Sequence, residues 1–126
     1  MSEHTEQAAL VVTLPGIPPS VNARYRHGRF PAPHLTAETR AWQDGAALAL
    51  RCAAAGVVLA PRTPLAVTVA LAAPHLYRFD LDNTLKAIGD AVALALGIDD
   101  RYIVAWHVSK TRGRVAQTHV TVQAVE

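Results

Sequence analysis

RFDLDNTLKAIGD, residues 78–90, decides how this chain is read, because two aspartates one residue apart stand where a β-prone apolar run gives way to an apolar helix. Upstream, PLAVTVALAAP (64–74) is a nearly continuous β-prone run, the pattern of a strand buried on both faces. Downstream, Leu85, Ile88, Val92 and Leu96 recur at helical spacing. They predict one apolar stripe on a helix from about Asn83 to Leu96, stopped by Gly97.

Working outward, AALVVTLPG (8–16) reads as a first strand, and IPPSVNARYRHGRFPAPHL (17–35) as an irregular, proline-rich loop. Thr36 is a candidate N-cap, with Glu38 in the first turn, for an alanine-rich helix ending near Gly56. Its Trp42, Leu48 and Leu50 offer an apolar surface to core or partner. GIDDRY turns into an expected final hairpin: YIVAWHVSK, the basic tip TRGR, and VAQTHVTVQAV. The order is β-loop-α-β-α-β-β. This predicts a single α/β domain over residues 1–126, with a mixed β-sheet of about four strands, two main helices and a flexible tail at 1–7.

With 51% hydrophobic and 17% charged residues, the 126-residue chain is not disordered. No apolar run approaches the ~20 residues of a membrane span, and MSEHTEQ is polar and acidic rather than a signal peptide, so a soluble cytoplasmic protein is expected. Cys52, the single cysteine, is expected as a small core residue, with no redox role. The six histidines are scattered without ligand spacing, so zinc is not expected, and His107 and His119 are placed on strand surfaces.

Charge is unevenly distributed. Residues 80–100 hold Asp80, Asp82, Asp90, Asp99 and Asp100 against Lys86 alone, while the rest of the chain carries a cationic excess. Ten of the twelve cations are arginine, whose planar fork suits phosphate. If the strand persists through them, Asp80 and Asp82 share a face and repel unless a cation sits between them. Mg²⁺ is such a cation, since it takes carboxylate oxygens and leaves positions for phosphate and water. Structural roles compete with this one: Asp82 as the helix N-cap, Asp99-Asp100 as turn residues, Asp80 paired with Arg78, and Lys86 paired with Asp82 or Asp90. Whether Asp100 returns to the other two acids depends on the chain doubling back. NARYRHGRF (22–30) interleaves Arg24, Arg26 and Arg29 with Tyr25 and Phe30, a mix that can hold phosphates and stack on bases. Lys110, Arg112 and Arg114 form a smaller basic knob at the expected hairpin tip.

PPSVN with ARYRHGR after it, the block RFDLDNTLKAIGDAV, the turn GIDD and the expected closing hairpin together resemble the RusA family of Holliday-junction resolvases over nearly the whole chain. Some relatives carry an arginine run before DLDN where this chain has HLYRF, with Arg78 alone. The resemblance implies a homodimeric, nucleoid-associated endodeoxyribonuclease that uses Mg²⁺, with Mn²⁺ as a substitute, to nick four-way DNA junctions in pairs. It further implies Asp80, Asp82 and Asp100 as metal-binding and catalytic acids, Lys86 as the catalytic lysine, and Asn22, Arg24, Tyr25 and Arg26 as the DNA-facing loop, to which the residue pattern adds Arg29. A catalytically silent DNA-structure-binding protein and a metal-dependent phosphatase or nucleotide hydrolase are the alternative readings.

Overall fold

A computed structural model describes residues 8–19, 25–26, 34–35 and 37–125. The expected tail at 1–7 and Thr36 lie outside them. The sheet is organised around LAVTVALAA, strand β4 (Leu65–Ala73). Leu65, Val67, Val69, Leu71 and Ala73 are buried, whereas Ala66, Thr68, Ala70 and Ala72 are half-buried. The strand is therefore covered on one face, not on both as its apolar run predicts. Through Ala72 its alternation is one of size, with Leu and Val inward and Ala and Thr outward, so polarity alone hides it.

β1 (Ala8–Pro15) and β6 (Gln117–Ala124) form an antiparallel pair, β6 runs antiparallel to β4, and β4 runs parallel to β5 (Ile103–Arg112), giving the order β1-β6-β4-β5. The expected β5–β6 hairpin is corrected here, because β4 lies between the two strands. Their short connection crosses the end of β4 at Gly113, whose N–H donates to the Ala73 carbonyl at 3.1 Å. A Cβ on Gly113 would stand 3.2 Å from Ala72 Cβ, so this close crossing favours glycine.

The helices α1 (Ala37–Ala53) and α2 (Leu81–Leu96) pack on each other, and α1 also packs on β1 and α2 on β5. Leu50, Ile88, Ala91 and Val92 meet Leu10, Leu14, Val67, Val69, Val120 and Val122 in one core. The result is a two-layer α/β fold with a four-stranded mixed sheet and two helices, as the residue pattern predicts. α2 ends as expected at Gly97, which has φ +66. Its N–H and that of Ile98 both return to the Ala93 carbonyl.

Two more expectations are corrected. Cys52 is exposed; on α1 the buried residues are Thr39, Ala46, Ala47 and Leu50, and position 52 falls on the far side of the helix. The proline-rich loop contains a short antiparallel ribbon, β2 (Tyr25–Arg26) paired with β3 (His34–Leu35). His107 and His119 are exposed on strands, as predicted. Among the described residues no helix is long and apolar enough to cross a membrane.

Candidate active site

β4 ends at Ala73 and the chain passes through a 3₁₀ turn, Leu76–Arg78, before α2 begins at Leu81. Asp80 and Asp82 therefore do not share a strand face. Asp80 is the extended N-cap residue of α2, and Asp82 lies in the first helical turn. The N-cap expected of Asp82 thus passes to Asp80, whose side chain makes no capping hydrogen bond. Both are exposed. They set two carboxylates at the helix end where N–H groups concentrate positive potential.

Beyond Gly97 the chain does double back. Lys86 Nζ lies 3.1 Å from Asp90 Oδ1, one turn further along α2, and 3.7 Å from Asp100 Oδ2, beyond the end of the helix. Lys86 and Asp100 border an open hollow of about 560 Å³ with Gln43, Asp90, Leu94 and Asp99. Asp80 and Asp82 stand four to six residues before Lys86, roughly 6 to 9 Å along the helix axis. Among the described residues no three acids or histidines are grouped closely enough to hold a metal ion.

The two acids of the GIDD turn have different surroundings. Asp99 caps the 3₁₀ turn Asp100–Tyr102: its Oδ1 accepts from the Arg101 N–H at 2.9 Å, and its Oδ2 lies 3.6 Å from Arg101 Nε. The Arg101 guanidinium, which donates to the Tyr102 hydroxyl and sits beside Asp99, is held above its ordinary pKa. Asp99 thus serves the turn, leaving Asp100 to face Lys86. Tyr25 and Arg26 lie on β2, while Asn22, Arg24 and Arg29 are outside the described residues.

A match to the family Endodeoxyribonuclease RusA covers residues 15–123. The chain belongs to the RusA endodeoxyribonuclease family. The RusA resemblance is also seen in individual relatives. It is 35% identical over 114 residues to the crossover junction endodeoxyribonuclease RusA of Escherichia coli O139:H28 (strain E24377A / ETEC), covering 87% of this chain and 92% of the relative. Against the protein of the same name from Escherichia coli strain K12 the identity is 37% over 100 residues, covering 79% and 80%. Against that of Enterobacteria phage 82 it is 36% over the same span and shares.

Within this RusA fold, residue patterns alone misplace Lys110. It stands not on a hairpin tip but beside Leu71 of β4, where its Nζ donates at 2.9 Å to the carbonyls of both Leu76 and Phe79. A parallel strand pairing is needed to bring it there, and no local sequence signal reports such a pairing.

Proposed function

We propose that this chain is a homodimeric, divalent-metal-dependent endodeoxyribonuclease that resolves four-way DNA junctions by paired symmetric nicks. Its named relatives act, by their names, on crossover junctions. The observation that carries the reading to residues is the 3.7 Å approach of Lys86 to Asp100 across the turn that follows α2.

In chemical type the available donors suit a hard cation, although the described acids do not stand close enough together to hold one in this arrangement. Asp80, Asp82 and Asp100 offer carboxylate oxygens at or near the surface, with neither thiolate nor imidazole among them, which matches Mg²⁺ or Mn²⁺ better than zinc. Asp80, Asp82 and Asp100 would hold such an ion, which would supply polarisation of the scissile phosphate and a lowered pKa for the attacking water. Asp80 and Asp82 hold their carboxylates at the start of α2, at the carboxyl end of β4, where parallel strands present their sites. Lys86, half-exposed and flanked by Asp90 and Asp100, supplies positive charge to the reacting phosphate oxygens. Asn22, Arg24, Tyr25, Arg26 and Arg29 bind the junction backbone and its distorted bases. Two symmetric cuts call for two equivalent sites, which a two-fold dimer provides.

The test is cleavage of a synthetic four-way junction, a matched duplex and a flap, each with Mg²⁺ and with EDTA. Paired nicks confined to the junction and abolished by EDTA are expected. Cleavage that survives EDTA or needs zinc sinks the metal assignment, and a monomer at micromolar concentration that still makes paired nicks sinks the dimer.

A further inference from the structure

The segment that carries Asp80 into the site, residues 74–80, buries little of itself. Pro74, His75, Tyr77, Arg78 and Asp80 are exposed, Tyr77 to 87%, and only Leu76 and Phe79 are half-buried. Its regular structure is a single 3₁₀ turn, Leu76–Arg78, with the Arg78 N–H donating to the His75 carbonyl at 3.3 Å. So short a stretch between strand and helix, without a core of its own, needs an external hold to keep one conformation.

β5 supplies that hold. The parallel register sets Lys110 opposite Leu71 and Arg112 opposite Ala73, so the basic end of β5 lies beside the point where the chain leaves β4. Lys110 Nζ donates to the Leu76 and Phe79 carbonyls, both at 2.9 Å, and lies 5.1 Å from the centroid of the Phe79 ring and 5.8 Å from that of Tyr77. Arg112 Nη1 adds a longer bond, 3.4 Å, to the Pro74 carbonyl. One ammonium thus fixes two carbonyls three residues apart and seats two rings, and the second carbonyl belongs to the residue immediately before Asp80. A hydrogen bond from a charged donor is stronger than a neutral one, and a partly buried ammonium over an aromatic face gains further.

We propose that Lys110 is a positioning residue for the nuclease reaction: it clamps the 76–79 turn and so sets the direction in which Asp80 and the first turn of α2 present their carboxylates. The proposal rests on the nuclease reading for its effect on rate, and on geometry alone for its effect on the turn. A misplacement of about 1 Å in a catalytic group can cost on the order of a hundredfold in rate. The clamp therefore acts on kcat and not on DNA binding, because the ammonium is turned to protein carbonyls.

Lys110→Met keeps the length and apolar stem and removes both hydrogen bonds; Lys110→Arg restores two donors and a planar cation that stacks on the rings. Three quantities are measured: amide hydrogen exchange over residues 76–88, junction affinity and its salt dependence in EDTA, and Mg²⁺-dependent kcat. For Lys110→Met we expect exchange about tenfold faster, confined to that segment. Affinity and salt slope should stay as in the wild type, and kcat should fall about tenfold to a hundredfold, with Lys110→Arg recovering most of it. Unchanged exchange in the segment overturns the clamp. So does a loss that appears in affinity with a salt slope smaller by about one, which would make Lys110 a phosphate contact. A global rise in exchange that Lys110→Arg shares also overturns it, since the lysine would then serve the fold as a whole. If the wild type itself cleaves no junction, the nuclease reading fails, and the exchange measurement still decides whether Lys110 holds the turn.

Discussion

Lys86 stands 3.7 Å from Asp100 although the whole C-terminal half of α2 and the turn at Gly97 separate them in the chain. The same ammonium is 3.1 Å from Asp90, and half of the lysine side chain is open to solvent. An exposed pair of this kind contributes only about 0.3 to 0.5 kcal/mol, too little to explain its placement by stability. On the proposed nuclease reading, a cation at the rim of this acidic hollow would meet charge that develops on a substrate.

Lys86→Met is accordingly expected to lower kcat on junctions by about a hundredfold or more while changing stability by under about 1 kcal/mol. Single-turnover cleavage and a thermal melt, run side by side, check both numbers. Asp90→Asn should cost less activity than Lys86→Met, since Lys86 keeps Asp100. A melt that falls steeply for Lys86→Met with cleavage intact would return the lysine to a purely structural role.

Asp82→Asn separates fold from chemistry at the start of α2. Because Asp80 holds the N-cap position, Asp82 has no cap to lose, and its charge at the helix start is worth about 0.3 to 1 kcal/mol. Repulsion from the nearby Asp80 offsets a similar amount. The variant should melt in EDTA close to wild type, bind junction DNA, and show no Mg²⁺-dependent cleavage. Retained cleavage with a clearly lower melting temperature would remove Asp82 from the site.

Two glycines should respond in opposite directions. A Cβ on Gly89, inside α2, would meet the Trp106 indole at 3.5 Å, an ordinary contact, so Gly89→Ala should stabilise by about 0.5 to 1 kcal/mol. Gly113→Val puts a branched side chain where even a Cβ is tight against Ala72, and should destabilise by about 1 to 3 kcal/mol. Urea unfolding midpoints at constant slope provide both values.

If the loop around β2 meets the DNA backbone, replacing Arg24, Arg26 and Arg29 with alanine should flatten the plot of log affinity against log salt by about 2 to 3 units. Fluorescence anisotropy on a labelled junction between low and physiological salt reads this directly. An unchanged slope would leave the loop solvated.

What the amino-acid sequence determined by itself is what local physics determines. Helical spacing, the Gly97 stop and the strand-forming runs specify the two helices and four long strands from neighbours a few positions apart, but not the β2–β3 ribbon, and the charge asymmetry and the DLDN and GIDD blocks mark the acids. Tertiary structure alone decided the pairing. It set β4 between β5 and β6, where adjacent strands with a basic turn predict a hairpin, and it covered β4 on one face only. It also moved the helix start forward to Leu81, giving the N-cap to Asp80, and turned Cys52 outward. Above all it brought Asp100 to Lys86 and Lys110 to the turn before Asp80. Those two approaches depend on strand register and on a chain that reverses past the end of a helix. Their energies come from contacts between distant positions, so no window of local sequence carries them.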